Sequence, residues 1–265
     1  MTYICNEMQT TFYKYQGTGN DFVIMDNRQL FFDKNNANYI SELCDRRFGI
    51  GADGLILLEN HPMLDFKMVY FNADGNESSM CGNGGRCLVK FARFLNIIED
   101  SAQFEAIDGV HDAKISGDQV YLKMNDVSHI MAYQTNYILD TGSPHYVANV
   151  ENVKALNVNQ KGASIRYSDD YKTEGINVNF VEPLGDSRFA VRTYERGVEA
   201  ETLSCGTGVT AVALAVHNAK QTQSNIVSLK TEGGELQVQF EENKGKYHDI
   251  WLIGPAEQVF KGELQ

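Results

Sequence analysis

The stretches Met80-Cys81-Gly82-Asn83-Gly84-Gly85-Arg86 and Ser204-Cys205-Gly206-Thr207-Gly208 decide the fold, because they are two occurrences of one pattern. In each, a cysteine is followed by glycine-rich sequence and then by residues that continue as a helix. Working outward from them, the correspondence persists. Cys205 lies 124 residues beyond Cys81, and Thr141-Gly142 lies 123 beyond Thr18-Gly19. Phe66, Met68, Phe71 and Asn72 correspond at 123 to Phe189, Val191, Tyr194 and Glu195, so one extra residue falls within Val198 to Ala200. Leu88 and Ala92 correspond at 124 to Val212 and Val216, and Asp108-Gly109 is matched to Glu232-Gly233. Val120-Tyr121-Leu122 returns as Ile250-Trp251-Leu252 after an inserted polar hairpin, Glu241 to His248. Two copies are too few for a solenoid, so the repeat reads as two similar domains facing each other.

The coarse elements follow the same duplication. Strands are expected from Phe12 to Asp26, broken by a turn at Gly17 to Gly19, and at Gly54 to Glu59 and Phe66 to Phe71. A short helix is expected from Asn38 to Arg47 and a longer one from Gly82 to Leu95. The second copy predicts strands at Tyr137 to Thr141 and Phe189 to Tyr194 and a helix from Gly206 to Ala219. The segment Val209 to Val216 is small or apolar on nearly every face, which marks a surrounded helix. The fold class is therefore α/β (α+β): two pseudo-symmetric domains, each a curved, mostly antiparallel sheet or barrel around a central helix. The boundaries expected are 1–126 for the first domain, with a tail, 254–265, returning to it, and 127–253 for the second.

The 265 residues carry a formal net charge of −12 and are 43% hydrophobic with 4 prolines, the composition of a folded chain. Without clustered Lys and Arg, no nucleic-acid or membrane surface is expected. Met1 to Phe12 lacks an apolar signal core and no apolar stretch is long enough to span a bilayer, so a cytoplasmic protein is expected. The five cysteines, Cys5, Cys44, Cys81, Cys87 and Cys205, form no Cys-x-x-Cys pair. That pattern suits free thiols in a reducing compartment, with no structural zinc. Taken singly, a cysteine is a small buried hydrophobe more often than a catalyst, and that reading is applied to Cys5, Cys44 and Cys87.

Cys81 and Cys205 differ because each stands where a helix begins. A helix start presents unpaired N–H groups and the positive end of the dipole, and both favour thiolate over thiol. Glycines leave those N–H groups uncovered to hold a carboxylate. If both sites face one cleft, one sulfur can remove a proton from the carbon beside that carboxylate while the other delivers one to the opposite face. That is racemisation or epimerisation by two bases. No lysine sits in a phosphate-binding glycine context, so no cofactor is expected, and the carbanion must be stabilised by aimed N–H dipoles in a dry site.

Gly17-Thr18-Gly19-Asn20-Asp21-Phe22, Cys81-Gly82-Asn83-Gly84-Gly85-Arg86-Cys87, Gly142-Ser143-Pro144-His145, Asn177-Val178-Asn179-Phe180, Glu195-Arg196-Gly197 and Cys205-Gly206-Thr207-Gly208 together resemble the diaminopimelate epimerases. The resemblance implies a cofactor-independent isomerase interconverting LL- and meso-diaminopimelate for lysine and peptidoglycan synthesis. By motif, Cys81 and Cys205 would be the acid and base, supported by His145 and Glu195. N–H groups of Gly82, Asn83, Gly206 and Thr207 would hold the reacting carboxylate, and Asn20, Asn72, Asn177, Glu195 and Arg196 would read the distal end. The chain departs from the family pattern at Ser143, where asparagine is common, and by the extra residue after Gly197. The partners implied are a small amino-acid substrate and, as an assembly left open, a second copy in a homodimer. Three other readings stand beside this one: a proline or hydroxyproline racemase on the same fold, a dithiol redox protein cycling Cys81 and Cys205, and a non-catalytic binding protein.

Overall fold

The structure, a computed structural model, describes residues 10–78 and 80–264. Cys5 and the stretch 1–9, read above as lacking a signal core, lie outside the described residues. The first half runs β1 (Thr10–Gly17), β2 (Asn20–Asp26), α1 (Ala37–Cys44), β3 (Gly54–Glu59), β4 (Phe66–Asn72), α2 (Gly82–Phe94), β5 (Ser101–Ala106), β6 (Gly109–Ser116) and β7 (Gln119–Lys123). After β8 (Ile130–Tyr133) the order repeats as β9 (Asn136–Asp140), β10 (Pro144–Asn149), α3 (Val158–Arg166), β11 (Asn177–Gly185) and β12 (Arg188–Glu195). A short β13 (Ala200–Thr202) precedes α4 (Gly206–Asn218), β14 (Ile226–Thr231), β15 (Gly234–Asn243), β16 (Lys246–Pro255) and a final β17 (Glu257–Leu264).

Pairing is the same in both halves. β1 and β2 are antiparallel, β2 runs parallel to β3, β4 parallel to β5, and β5 to β7 form an antiparallel meander. The second half repeats each step: β9 with β10, β10 parallel to β11, β12 parallel to β14, then β14 to β16. β17 adds to β1 as β8 adds to β9. The halves join where β7 and β16 pair antiparallel, with Leu122 opposite Leu252, so the two equivalent leucines sit on the axis of the repeat. The result is a continuous curved sheet of mixed α/β character with few helices.

Alternation along the strands sends one face inward, toward α2 or α4, and the other outward, toward α1 or α3. Phe22, Ile24, Ile56, Leu58, Phe66 and Met68 pack with Leu88, Phe91 and Ala92 of α2. Val23, Met25, Leu55, Leu57 and Phe71 pack outward with Ile40 and Leu43 of α1. Each such fully buried large apolar side chain is worth about 1.5–3 kcal/mol relative to exposure. Val209 to Val216 of α4 are all buried, as an apolar helix enclosed by sheet must be. Cys44 and Cys87 are buried as expected.

One expectation is corrected. The equivalence of Gly109 is with Gly234 rather than Gly233, since the hairpin closures are Ala106 opposite Gly109 and Thr231 opposite Gly234. Both turn glycines have positive φ, 124° and 144°. The inserted polar hairpin, Glu241 to His248, is present as expected and continues the flanking strands. It lengthens β15 and β16 down to the pair Asn243 and Lys246, and Tyr247 bridges to Val127.

Candidate active site

The two central helices meet end to end. A Cβ added to Gly206 would lie 3.4 Å from the Cα of Gly82, and one added to Gly82 would lie 3.6 Å from the Cα of Gly206. Either would also press on Leu252 Cδ2, at 2.9 and 3.1 Å. The facing glycines are thus within about one atom's contact of each other, and the space a side chain would need is taken up by Leu252. Cys81 and Cys205 immediately precede these glycines, each an N-cap in extended conformation with φ of −89° and −123°.

Side chains stitch the two thiol-bearing loops together. Asn83 Nδ2 donates to the carbonyl of Ser204, the residue before Cys205, at 3.2 Å and to Asn20 Oδ1 at 3.3 Å. The hydroxyl of Thr18 lies 3.0 Å from that of Ser204. Thr141, the counterpart of Thr18, donates to the carbonyl of Thr207 at 2.9 Å. Thr18 itself has φ of 51°, an outlier for a β-branched residue, and is held by bonds from both halves.

Behind these loops Arg86 is fully buried. Its guanidinium donates to Gly82 O at 3.3 Å, Asn83 Oδ1 at 2.9 Å, Thr18 Oγ1 at 3.4 Å and Pro255 O at 3.4 Å. All four acceptors are neutral oxygens. The positive charge therefore adds to the two helix dipoles at the pocket and favours an anion there.

Burial raises the pKa of both thiols. N–H groups of Gly84 and Asn83 oppose this at Cys81, and the Thr207 hydroxyl and the Gly208 N–H oppose it at Cys205. The negative charge of Glu195 raises both, and Cys81 in turn raises Cys205, so all three groups sense one another in one region. Glu195 is itself raised by burial, while Thr202 donates to its Oε2 at 2.9 Å. The Cys81 thiol donates to Asn20 Oδ1 at 3.4 Å, and Asn20 is oriented by a hydrogen bond from its Nδ2 to Asp53. Cys44, Cys81, Cys87 and Cys205 are free thiols.

The remaining predicted residues form a second cluster. Asn177 Nδ2 donates to Ser143 Oγ at 2.9 Å and to Pro144 O at 3.2 Å, while its Oδ1 accepts from the Arg196 N–H at 2.8 Å. The exposed Arg196 guanidinium reaches Ser143 Oγ at 3.3 Å and Glu174 O at 2.9 Å. Ser143, the departure from the family pattern, thus buttresses both Asn177 and Arg196. Asn72 ends β4 exposed, at the position equivalent to Glu195. Asn20, expected with this distal group, is instead bonded to Cys81, Asn83 and Asp53. His145 lies fully buried on β10 beside Asn177 and Asn179.

Sequence reasoning gave no role to Thr18, Arg86, Asp53, Asn179, Thr202 and Ser204. Their importance arises from contacts across the repeat or across strands. The signal available was that Thr18, Arg86, Asn179 and Ser204 sit inside the quoted stretches. Among the described residues there is no group of three metal-ligating side chains, and no helix is long and apolar enough to cross a membrane.

Comparison with known proteins agrees with this architecture. Residues 12–130 and 137–259 match the sequence pattern of the diaminopimelate epimerase family. The chain is 53% identical over 250 residues to the diaminopimelate epimerase of Flavobacterium psychrophilum, covering 94% of this chain and 98% of that one. It is 42% identical to that of Chlorobaculum tepidum over 258 residues, with 94% and 98% coverage. Among solved structures, a phenazine biosynthesis protein of the PhzF family from Bacillus anthracis superposes with a TM-score of 0.78 at 12% identity, covering 97% of this chain and 99% of that one. A hydroxyproline epimerase from Agrobacterium vitis does so with a TM-score of 0.70 at 14% identity, covering 98% and 93%. The structural likenesses speak for the fold alone; the sequence matches, spanning nearly the whole chain, place it in the diaminopimelate epimerase family.

Proposed function

We propose that this protein epimerises LL-diaminopimelate to meso-diaminopimelate, in the service of lysine and peptidoglycan synthesis, with Cys81 and Cys205 as the acid and base. The observation that carries the reading is the end-to-end meeting of two glycine-started helices, each capped by one of these cysteines. A substrate α-carboxylate held there accepts N–H bonds from both helix starts, and the dipoles stabilise the negative charge that grows as the α-proton leaves. One sulfur takes that proton while the other returns one to the opposite face, which inverts the carbon.

Desolvation holds each thiol neutral, and the helix-start N–H groups, with Arg86 at Cys81, supply the opposing field that favours a thiolate. Glu195, with its own pKa raised, is suited to accept a proton from a thiol. The cluster of Asn177, Ser143 and Arg196 is suited to the distal amino-acid end, because Arg196 can fork onto a carboxylate. This cationic, hydrogen-bonding distal cluster favours diaminopimelate over proline, which has no second charged end. We assign 1–126 with the tail 254–265 to one domain and 127–253 to the other, and the cytoplasm as the site of action.

The test is incubation of the purified protein with LL-diaminopimelate and, separately, with L-proline and trans-4-hydroxy-L-proline, followed by chiral separation. Formation of the meso compound alone is expected. Inversion of proline or hydroxyproline with no meso-diaminopimelate overturns the substrate assignment, and no inversion of any of them overturns the enzymatic one.

A further inference from the structure

The halves agree in backbone but differ in chemistry directly beneath their helix starts. Gly84 and Gly208 hold equivalent places in α2 and α4. A Cβ on Gly84 would meet Ile56 Cδ1 at 3.1 Å and the Phe22 ring at 3.4 Å. A Cβ on Gly208 would collide with Asn179 Oδ1 and lie 3.3 Å from Cys205 Sγ. The strand registers make the correspondence residue by residue. Phe22 is opposite Gly54 and Ile56 opposite Tyr70, just as His145 is opposite Asn177 and Asn179 opposite Thr193. Under Cys81 the apolar Phe22 and Ile56 with the ring of Tyr70 are therefore replaced under Cys205 by a polar chain, His145, Asn179 and Thr193.

That chain has one self-consistent proton arrangement. Thr193 Oγ1 donates to Asn179 Oδ1 at 2.9 Å, while Asn179 Nδ2 lies 3.2 Å from the Tyr146 carbonyl oxygen and 3.1 Å from His145 Nδ1. The reverse amide placement would set Oδ1 against the Tyr146 carbonyl, two acceptors with no proton between them. With Nδ2 toward His145, Nδ1 is an acceptor and the ring proton belongs on Nε2. His145 Nε2 is buried and has no hydrogen-bond partner among the described residues. A buried donor is rarely left so.

We propose that Asn179 is a positioning residue that locks His145 in the Nε2–H tautomer, so that His145 offers the Cys205 half of the pocket a neutral N–H donor and never acts as a base. The groups around the ring accord with neutrality. Burial foremost, and then Arg196 from the turn after β12, disfavours an imidazolium. Glu195 and Thr193 share the inward face of β12, Cys205 begins α4, and Leu139 on β9 is the apolar cross-strand neighbour. The catalytic use of this donor rests on the epimerase reading above; the tautomer does not.

The experiment is long-range proton–nitrogen NMR of the enzyme labelled with nitrogen-15 histidine, from about pH 5 to 9, across the ordinary histidine range. The His145 signals are assigned by their loss in His145→Gln. The wild type should show a protonated Nε2 and an unprotonated Nδ1 that do not titrate. In Asn179→Asp the carboxylate should draw the proton to Nδ1 and bring a His145 midpoint into the observed range. The pH profile of kcat/KM should then gain a limb at that same midpoint, which a merely structural loss would not produce. A wild-type Nδ1–H ring, or a wild-type midpoint near the ordinary histidine value, overturns the proposal whether or not the variant folds. Unchanged tautomer and pH profile in a folded Asn179→Asp overturn it too. Failure of the epimerase reading would appear as absent inversion, with the wild-type spectrum unaffected.

Discussion

Cys81 and Cys205 are alike in backbone and unlike in surroundings. Asn20 accepts from the first sulfur, and the Thr207 hydroxyl lies 3.5 Å from the second. If, as proposed, each supplies a proton transfer the other cannot, Cys81→Ala and Cys205→Ala should each lower kcat by about 10³-fold or more with the circular dichroism spectrum unchanged. Retention of a tenth of wild-type turnover in either variant would remove that residue from the proton relay. His145 adds a stability signature. Burial, helped by Arg196, pushes its pKa down to about 3 from 6.5. The unfolded chain binds this proton and the folded one does not. The stability His145 contributes is therefore complete above about pH 6.5 and is lost as pH falls toward 3, at up to ~1.4 kcal/mol per pH unit. Denaturant titrations across that window should show a shallower acid limb in His145→Gln. An unchanged slope would mean the ring is protonated in the folded state.

The decisive elements are α2 and α4, whose starts meet at Gly82 and Gly206 beside Leu252. In Gly206→Ala the new methyl would press on Leu252 Cδ2 at 2.9 Å while making ordinary contact with Gly82 Cα at 3.4 Å, so Leu252 must give by a few tenths of an ångström beside the helix starts. Catalytic geometry is sensitive on that scale. Gly206→Ala should lose about tenfold or more in kcat, and adding Leu252→Ala should recover part of it, as steady-state assays of both variants would show. These helix starts were legible in the sequence because cysteine, glycine and an apolar helix recur at a fixed offset, and so were β2, β3 and β4. The polar β15–β16 hairpin was legible as an insertion, but its bridge from Tyr247 to Val127 was not, because that pairing joins segments far apart in sequence. That Asn20 is a partner of Cys81 was not legible, since only the folded chain brings β2 against the start of α2. Arg86 and Asn179 stood inside motifs, yet their roles depend on acceptors from distant segments, Pro255 in one case and His145 in the other.

Across the whole molecule one sheet carries both halves, joined at β7 and β16, and Arg86 ties the start of α2 to the chain leaving β16 toward β17. A lysine cannot reproduce the four-way guanidinium contact, and hydrogen bonds from a charged group are worth about 1.5–3 kcal/mol each. Arg86→Lys should therefore lower the urea midpoint by an amount corresponding to about 3 kcal/mol; an unaltered midpoint would mean the joint is held elsewhere. The central claim is that two different sulfurs serve opposite faces of one carbon. Its most direct measurement is the early time course from LL-diaminopimelate in deuterium oxide, with the isotope read at the α-carbon of both product and recovered substrate. The account predicts deuterium in the meso product from the first turnovers, while unreacted LL substrate stays protiated. Deuterium appearing in recovered substrate as fast as product forms, or product that keeps its original proton, would point to a single base and contradict it.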